Sequence, residues 1–99
     1  MQYSFDWDPV KAKQNLKKHG VSFERAAQVF LDPFAISVYD DQHSENEDRW
    51  ITIGMEANEV IIIVVHTFRG IDIKSATIRI ISTWKANREE SQQYHERRY

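Results

Sequence analysis

Along the first third of the chain, apolar residues recur every three to four positions. Phe23, Ala26, Ala27 and Phe30 follow the i, i+3, i+4, i+7 spacing of one helical face. Ser22 stands where an N-cap belongs, and Asp32-Pro33 stops the run, since the residue before a proline is pushed out of the helical region. An earlier helix begins at Asp8-Pro9, where Asp offers a capping oxygen and Pro suits the first helical position. It runs through Val10, Ala12 and Leu16 to Gly20, which tolerates the left-handed conformation that ends helices. Upstream, Tyr3-Ser-Phe5 reads as a short extended lead-in.

Beyond Pro33 the period drops to two. Phe34, Ile36 and Val38 alternate with Ala35, Ser37 and Tyr39, the pattern of a half-buried strand. The loop DDQHSENED leads to a second strand, Arg49 to Ile53, closed by Gly54, and Glu56-Ala-Asn-Glu59 makes a turn. Val60 to Phe68 is apolar on both faces, which predicts a central strand. Gly70 to Lys74 turns the chain, and Ala76 to Ser82 forms a fourth strand. From Lys85 onward the residues are good helix formers, with Lys85 and Glu89 spaced to pair. Short connections between consecutive strands favour an antiparallel meander. The predicted architecture is α+β: two N-terminal helices, a four-stranded antiparallel meander sheet and a C-terminal helix, in a single domain spanning 1–99.

Composition narrows the class. An apolar content of 41% in 99 residues, with 12% of all residues aromatic, is that of a globular chain with a modest core. The longest apolar run, Val60 to Val65, is strand-sized, so no membrane span is expected, and MQYSFDWD lacks a signal-peptide layout. With no cysteine there is neither a disulfide nor a thiolate metal site, and the cytoplasm is the expected address. A net charge of -2 argues against binding nucleic acid by bulk positive charge. The charges are nevertheless segregated. Five acids and no Lys or Arg lie between Asp40 and Asp48, four lysines and no acid between Lys11 and Lys18, and five bases against Asp72 between Arg69 and Arg88. That arrangement fits either a basic face on a mildly acidic protein or a set of solvated faces.

Candidate chemistry starts at NLKKHGVSF, Asn15 to Phe23. Lys17 and Lys18 complement the negative end of a helix dipole, and Gly20 and Val21 fit the turn after it. None of this requires His19, whose imidazole is a side-chain type suited to proton transfer. Arg79 interrupts Thr77-Ile-Arg-Ile-Ile81 on the face opposite Ile78 and Ile80, so its guanidinium needs solvent, a carboxylate or a ligand. Arg49 opens its strand right after the acidic run, where a pair with Glu47 or a cross-strand acid is the cheaper explanation. His66 reads as a satisfied core histidine, and the three tryptophans as core or interface. His43 and its acidic neighbours match no EF-hand spacing, and there is no Gly-rich phosphate loop, serine-nucleophile motif or HExxH. No metal and no cofactor is expected. The remaining Lys, His, Arg and Tyr suit phosphodiester chemistry, in which a 2′-oxygen attacks the adjacent phosphate and cations stabilise the developing charge.

The order of the motifs carries a resemblance. Phe5-Asp-Trp-Asp-Pro9, Lys11-Ala12, Asn15 to Phe23, Ala26, Phe30 and Asp32-Pro33 are followed by Ser44, Glu47, Arg49, Ile53-Gly54, Ile78 to Ser82, Ala86, Glu90 and Tyr94. From Phe5 to Tyr94 this resembles the BrnT toxin family. The resemblance implies a fold similar to RelE and the toxin half of a type II toxin–antitoxin pair. It implies a ribonuclease that halts translation and growth, and a BrnA-like antitoxin through which alone operator DNA is bound. The family's polar positions fall on Lys18, His19, Arg49, Arg79 and Tyr94. The roles we expect are phosphate binding by Arg49 and Arg79, acid or base action by His19, positive field from Lys18, and closure or proton donation by Tyr94. Trp84 stands where the family usually carries an arginine. Trp84, Lys85 and Arg88 are then the expected RNA-contacting residues, with Lys85 a point charge in the arginine's place and Trp84 a stacking surface. The missing arginine also leaves open a second expectation, a weak or inactive homologue serving as an antitoxin-binding co-repressor.

Overall fold

The computed structural model describes residues 2–70 and 72–96. The helical punctuation is formed as the residue pattern predicts. Asp8 accepts from the Val10 N–H at 2.9 Å and caps α1 (Pro9–His19), and Gly20 ends the helix at φ 72°, its N–H donating to the Leu16 carbonyl. Ser22 Oγ accepts from the Arg25 N–H at 3.1 Å and caps α2 (Phe23–Gln28), which tightens into a 3-10 turn at Val29–Leu31. Val21, Phe23, Ala26 and Val29 then pack on Ile62, Val64, Ile78 and Ile80 to make the main core.

The strands are β1 (Gln2–Asp6), β2 (Ile36–Tyr39), β3 (Arg49–Met55), β4 (Ile61–Gly70) and β5 (Ser75–Lys85), followed by α3 (Arg88–Glu96). Strands β2 to β5 form the expected antiparallel meander with β4 central, in the sheet order β1-β5-β4-β3-β2. The four-stranded, wholly antiparallel sheet needs correcting: the lead-in is a fifth strand, β1, parallel to β5 from Gln2 opposite Ser75 to Asp6 opposite Arg79. No hairpin signal marks it, because its partner lies at the far end of the chain. The turn expected over Gly70 to Lys74 also shifts, since Gly70 ends β4 and residue 71 lies outside the described residues.

Three further boundaries move for physical reasons. Gly54 does not close β3 but lies inside it, because a Cβ there would meet Val29 Cγ1 at 2.5 Å; the glycine lets the 3-10 turn approach the strand. Strand β5 runs on to Lys85, so Lys85 and Glu89 do not share a helix. Helix α3 starts instead at a reciprocal cap, with Asn87 Oδ1 accepting from the Glu90 N–H and Glu90 Oε1 accepting from the Asn87 N–H. No helix among the described residues is long and apolar enough to cross a membrane.

Directly opposed residues on neighbouring strands point to the same face of a sheet. One face carries the core beneath α1 and α2. On the other, Ile53, Ile63 and Trp84 form a row covered by Tyr94 of α3. The next row, Val38, Ile51, Val65 and Ser82, is half-buried to exposed, and the row at the far end is polar.

Candidate functional site

That polar row is built by register alone. Arg49 lies opposite Thr67, Thr67 opposite Arg79, and Arg79 opposite Asp6. The two arginines therefore project from one face on either side of Thr67, with Cα atoms roughly 10 Å apart across two strand spacings. Arg79 bonds Asp6 at 2.5 Å, and Arg49 lies 3.8 Å from Glu47. Both partner carboxylates are more than half exposed, so these pairs are weak and open to exchange with another anion. Arg49 Nε is buried without a hydrogen-bond partner, but so is Nε of Arg25, which serves a structural ion pair; the orphan atom does not single Arg49 out.

Strand β1 ends beside Arg79, and from there α1 takes over the edge of β5. Asn15 makes the substitution possible. Its side-chain amide donates to the Thr83 and Val21 carbonyls, each at 3.0 Å, and its Oδ1 accepts from the Thr83 N–H at 3.1 Å and from Ser82 Oγ at 3.3 Å. An amide side chain thus completes the ladder that β1 leaves off, satisfying edge groups that would otherwise be buried unpaired. Ile81 is left unopposed at an irregularity in the β4–β5 ladder, between Ile80 opposite His66 and Ser82 opposite Val65. Outside this seam, Lys11, Gln14, Asn15, Lys18, His19, Ile81 and Ser82 line a groove of about 280 Å³. The His19 ring stands 6.2 Å from that of Trp84 at its far end.

The residues singled out in the sequence therefore fall into three places. Arg49 and Arg79 share the row. Lys18, His19 and Trp84 gather at the helix end, set off from the row by the four residue steps of β4 from Ile63 to Thr67, roughly 13 Å of strand. Tyr94 is neither: it is 1% exposed, packs with Ile53 and Ile63, and donates to Asp32 Oδ2 at 2.6 Å. The same Asp32 oxygen accepts from the Met55 N–H, so this tyrosine ties α3 to β3. Lys85 follows Trp84 at the end of β5 and lies near Glu56, and Arg88 is exposed at the start of α3. Asn15 is the residue that sequence reasoning missed, although it falls three positions after inward-facing Ala12 on α1.

Two other polar groups are structural. Glu56 is buried and held below its ordinary 4.5; burial opposes this, but the Asn58 N–H and the Arg25 guanidinium, 2.7 Å away, outweigh it. His66 is buried and its imidazole is pushed below the ordinary 6.5 by desolvation, only partly offset by its bond to the Thr67 carbonyl. Among the described residues no three His, Asp or Glu side chains are grouped to hold a metal ion.

Comparison with known proteins places this geometry. Residues 7–90 match the family model for the ribonuclease toxin BrnT of type II toxin–antitoxin systems. The crystal structure of the ribonuclease toxin BrnT of Brucella abortus is similar over 89% of this chain and 100% of its own, with 24% identity and a TM-score of 0.61, a likeness of fold. No curated protein matches the chain.

Proposed function

The chain belongs to the BrnT family of ribonuclease toxins from type II toxin–antitoxin systems, and we propose that it cuts RNA on the Arg49–Thr67–Arg79 row. The observation that carries this reading is that register places two guanidiniums on one exposed sheet face, each held only by an exposed acid. A phosphate entering between them displaces Asp6 and Glu47 and gains two fixed cations. Attack of the neighbouring 2′-oxygen on phosphorus then builds negative charge where those cations already point. The freed Asp6 is the row's own acceptor for the 2′ proton. The bond from phosphorus to the 5′-oxygen breaks and that oxygen takes a proton from solvent water, leaving a 2′,3′-cyclic phosphate and a 5′-hydroxyl. The guanidiniums supply the charge stabilisation that a metal provides in other nucleases, so chelators leave the rate unchanged.

The RNA continues along β5 into the groove, where Lys11 and Lys18 meet phosphates and His19 with Trp84 offers flat rings to a base. The separation from the row favours this binding role for His19 over acid–base action. Tyr94, with its hydroxyl on Asp32, acts through packing. Lys85 and Arg88 add only general positive field. RNA cleavage of this kind in the cytoplasm stops translation and growth, and a BrnA-like antitoxin restrains it.

The decisive assay uses purified toxin and labelled single-stranded RNA, with end-group analysis of the products. Arg79→Ala is expected to slow cleavage about 100-fold, the loss typical of one preorganised charge donor, while His19→Gln raises KM more than it lowers kcat. Cyclic-phosphate ends that persist at full rate in Arg79→Ala overturn the assignment of the row. A wild-type protein that cuts no RNA yet binds its antitoxin is instead the co-repressor module that the Trp84 substitution raises.

A further inference from the structure

The opposite face of the same sheet end holds a cavity that the cleavage reading does not use. Tyr3, Phe30, Ser37, Trp50, His66 and Phe68 enclose about 260 Å³. Its rings brace one another: Tyr3 lies 6.1 Å from Phe30 and 6.5 Å from Phe68, and Phe30 meets His66 edge-on at 4.8 Å. The rim rings Tyr3 and Phe68 are 38% and 43% exposed, and Phe5 beside them is 36% exposed. Contiguous exposed aromatic surface of this kind marks an interaction site.

The Ser37 hydroxyl and the His66 ring in the cavity are already committed. Ser37 Oγ bonds Thr52 Oγ1 at 2.7 Å, Thr52 bonds His66 Nε2 at 2.6 Å, and His66 Nδ1–H donates to the Thr67 carbonyl at 3.0 Å. That relay, from Ser37 to the Thr67 carbonyl, is satisfied within the protein. The rim is also negative. Tyr39 packs on Trp50 at 5.3 Å and donates to Asp48 at 2.8 Å, which fastens that carboxylate beside the cavity. Phosphates are repelled there; a basic peptide is attracted.

We propose that this cavity receives a large apolar side chain of the cognate antitoxin, on a segment whose neighbouring residues are Lys or Arg. The inference rests on the family's antitoxin partnership and adds where the contact lies and what chemistry it selects. The apolar anchor fills the aromatic cavity and carries most of the binding energy, as interface hot spots do. The flanking cations meet Asp48 and set the association rate and salt dependence. Because the cavity and the arginine row lie on opposite faces, capture and cleavage are separable by mutation.

The test measures calorimetric affinity between the toxin and the purified product of the reading frame adjoining its own, alongside RNA cleavage by the free toxin. Phe68→Glu and Tyr3→Glu are expected to weaken binding at least 10-fold with cleavage unchanged. Phe68→Ala serves as the milder variant should the charged one fail a folding check by circular dichroism. Asp48→Asn should weaken binding a few-fold and flatten its salt dependence. Wild-type affinity in both Phe68→Ala and Tyr3→Glu overturns the proposal. So does a loss of RNA cleavage with antitoxin affinity intact, which would make the cavity a nucleobase pocket. No binding by the wild type overturns the partnership beneath it, and leaves the ribonuclease reading to its own assay.

Discussion

The two faces of the sheet are finished in opposite ways. Beneath α1 and α2, polar groups are buried and saturated: Asn15 makes four hydrogen bonds, and His66 is bonded through both ring nitrogens. On the other face α3 covers only one end, and at the other Arg49 and Arg79 hold acids that remain exposed. Polar residues of the first kind lose free energy when a partner is removed, because the group left behind is desolvated without compensation. Those of the second kind lose little, since water replaces the partner. The contrast separates residues that hold the fold from residues free to act on a ligand.

The largest effect is expected on the closed face. Asn15→Ala leaves the Thr83 N–H and carbonyl buried and unpaired at the edge of β5, and should cost about 3 kcal/mol of stability in urea melts. A loss below about 1 kcal/mol would mean that α1 does not depend on the amide, and the comparison would fail at its firmest point. On the open face Arg79→Ala should keep its stability within about 1 kcal/mol while losing cleavage. An unfolded Arg79→Ala would place that arginine with the structural residues. Tyr94→Phe, a residue of α3 that the family pattern marked for chemistry, should lose about 1 kcal/mol of stability and leave the rate unchanged. A slowed Tyr94→Phe with normal stability would move it back to the site.

The ease of reading these residues from the sequence follows the same division. Asp8, Ser22 and Gly20 announce α1 and α2 because caps act within four residues. The meander is legible because each strand pairs with the next. Strand β1 was hidden by its distant partner, and Asn15 by the rarity of a side chain that completes a ladder. The row was half visible: alternation places Arg79 opposite the core, but bringing it level with Arg49 depends on where β4 pairs on each side. The expected convergence of His19 with the arginines fails for the same reason. The helix end docks on β5 beside Trp84, where Asn15 anchors it, and no local pattern encodes that distance.

The smallest effect concerns His66, and it tests the closed face by pH rather than by deletion. Burial holds its folded value below the ordinary 6.5, so the folded protein binds this proton less readily than the unfolded chain. Its contribution to stability is fully present above 6.5 and is lost as pH falls through the depressed folded value. Glu56 has the same sign, but its window opens only near the ordinary 4.5, so a comparison between pH 8 and pH 5 isolates the histidine. The urea midpoint of the wild type should drop between those values, and that of His66→Gln should drop less. The Thr52 hydroxyl and the Thr67 carbonyl give the glutamine amide a donor and an acceptor in place of the ring, so the variant keeps the shape of the site while losing its titration. Parallel midpoints in the two proteins would show that protonation of His66 is tolerated, and the saturated network on the closed face would then be less committed than its geometry implies.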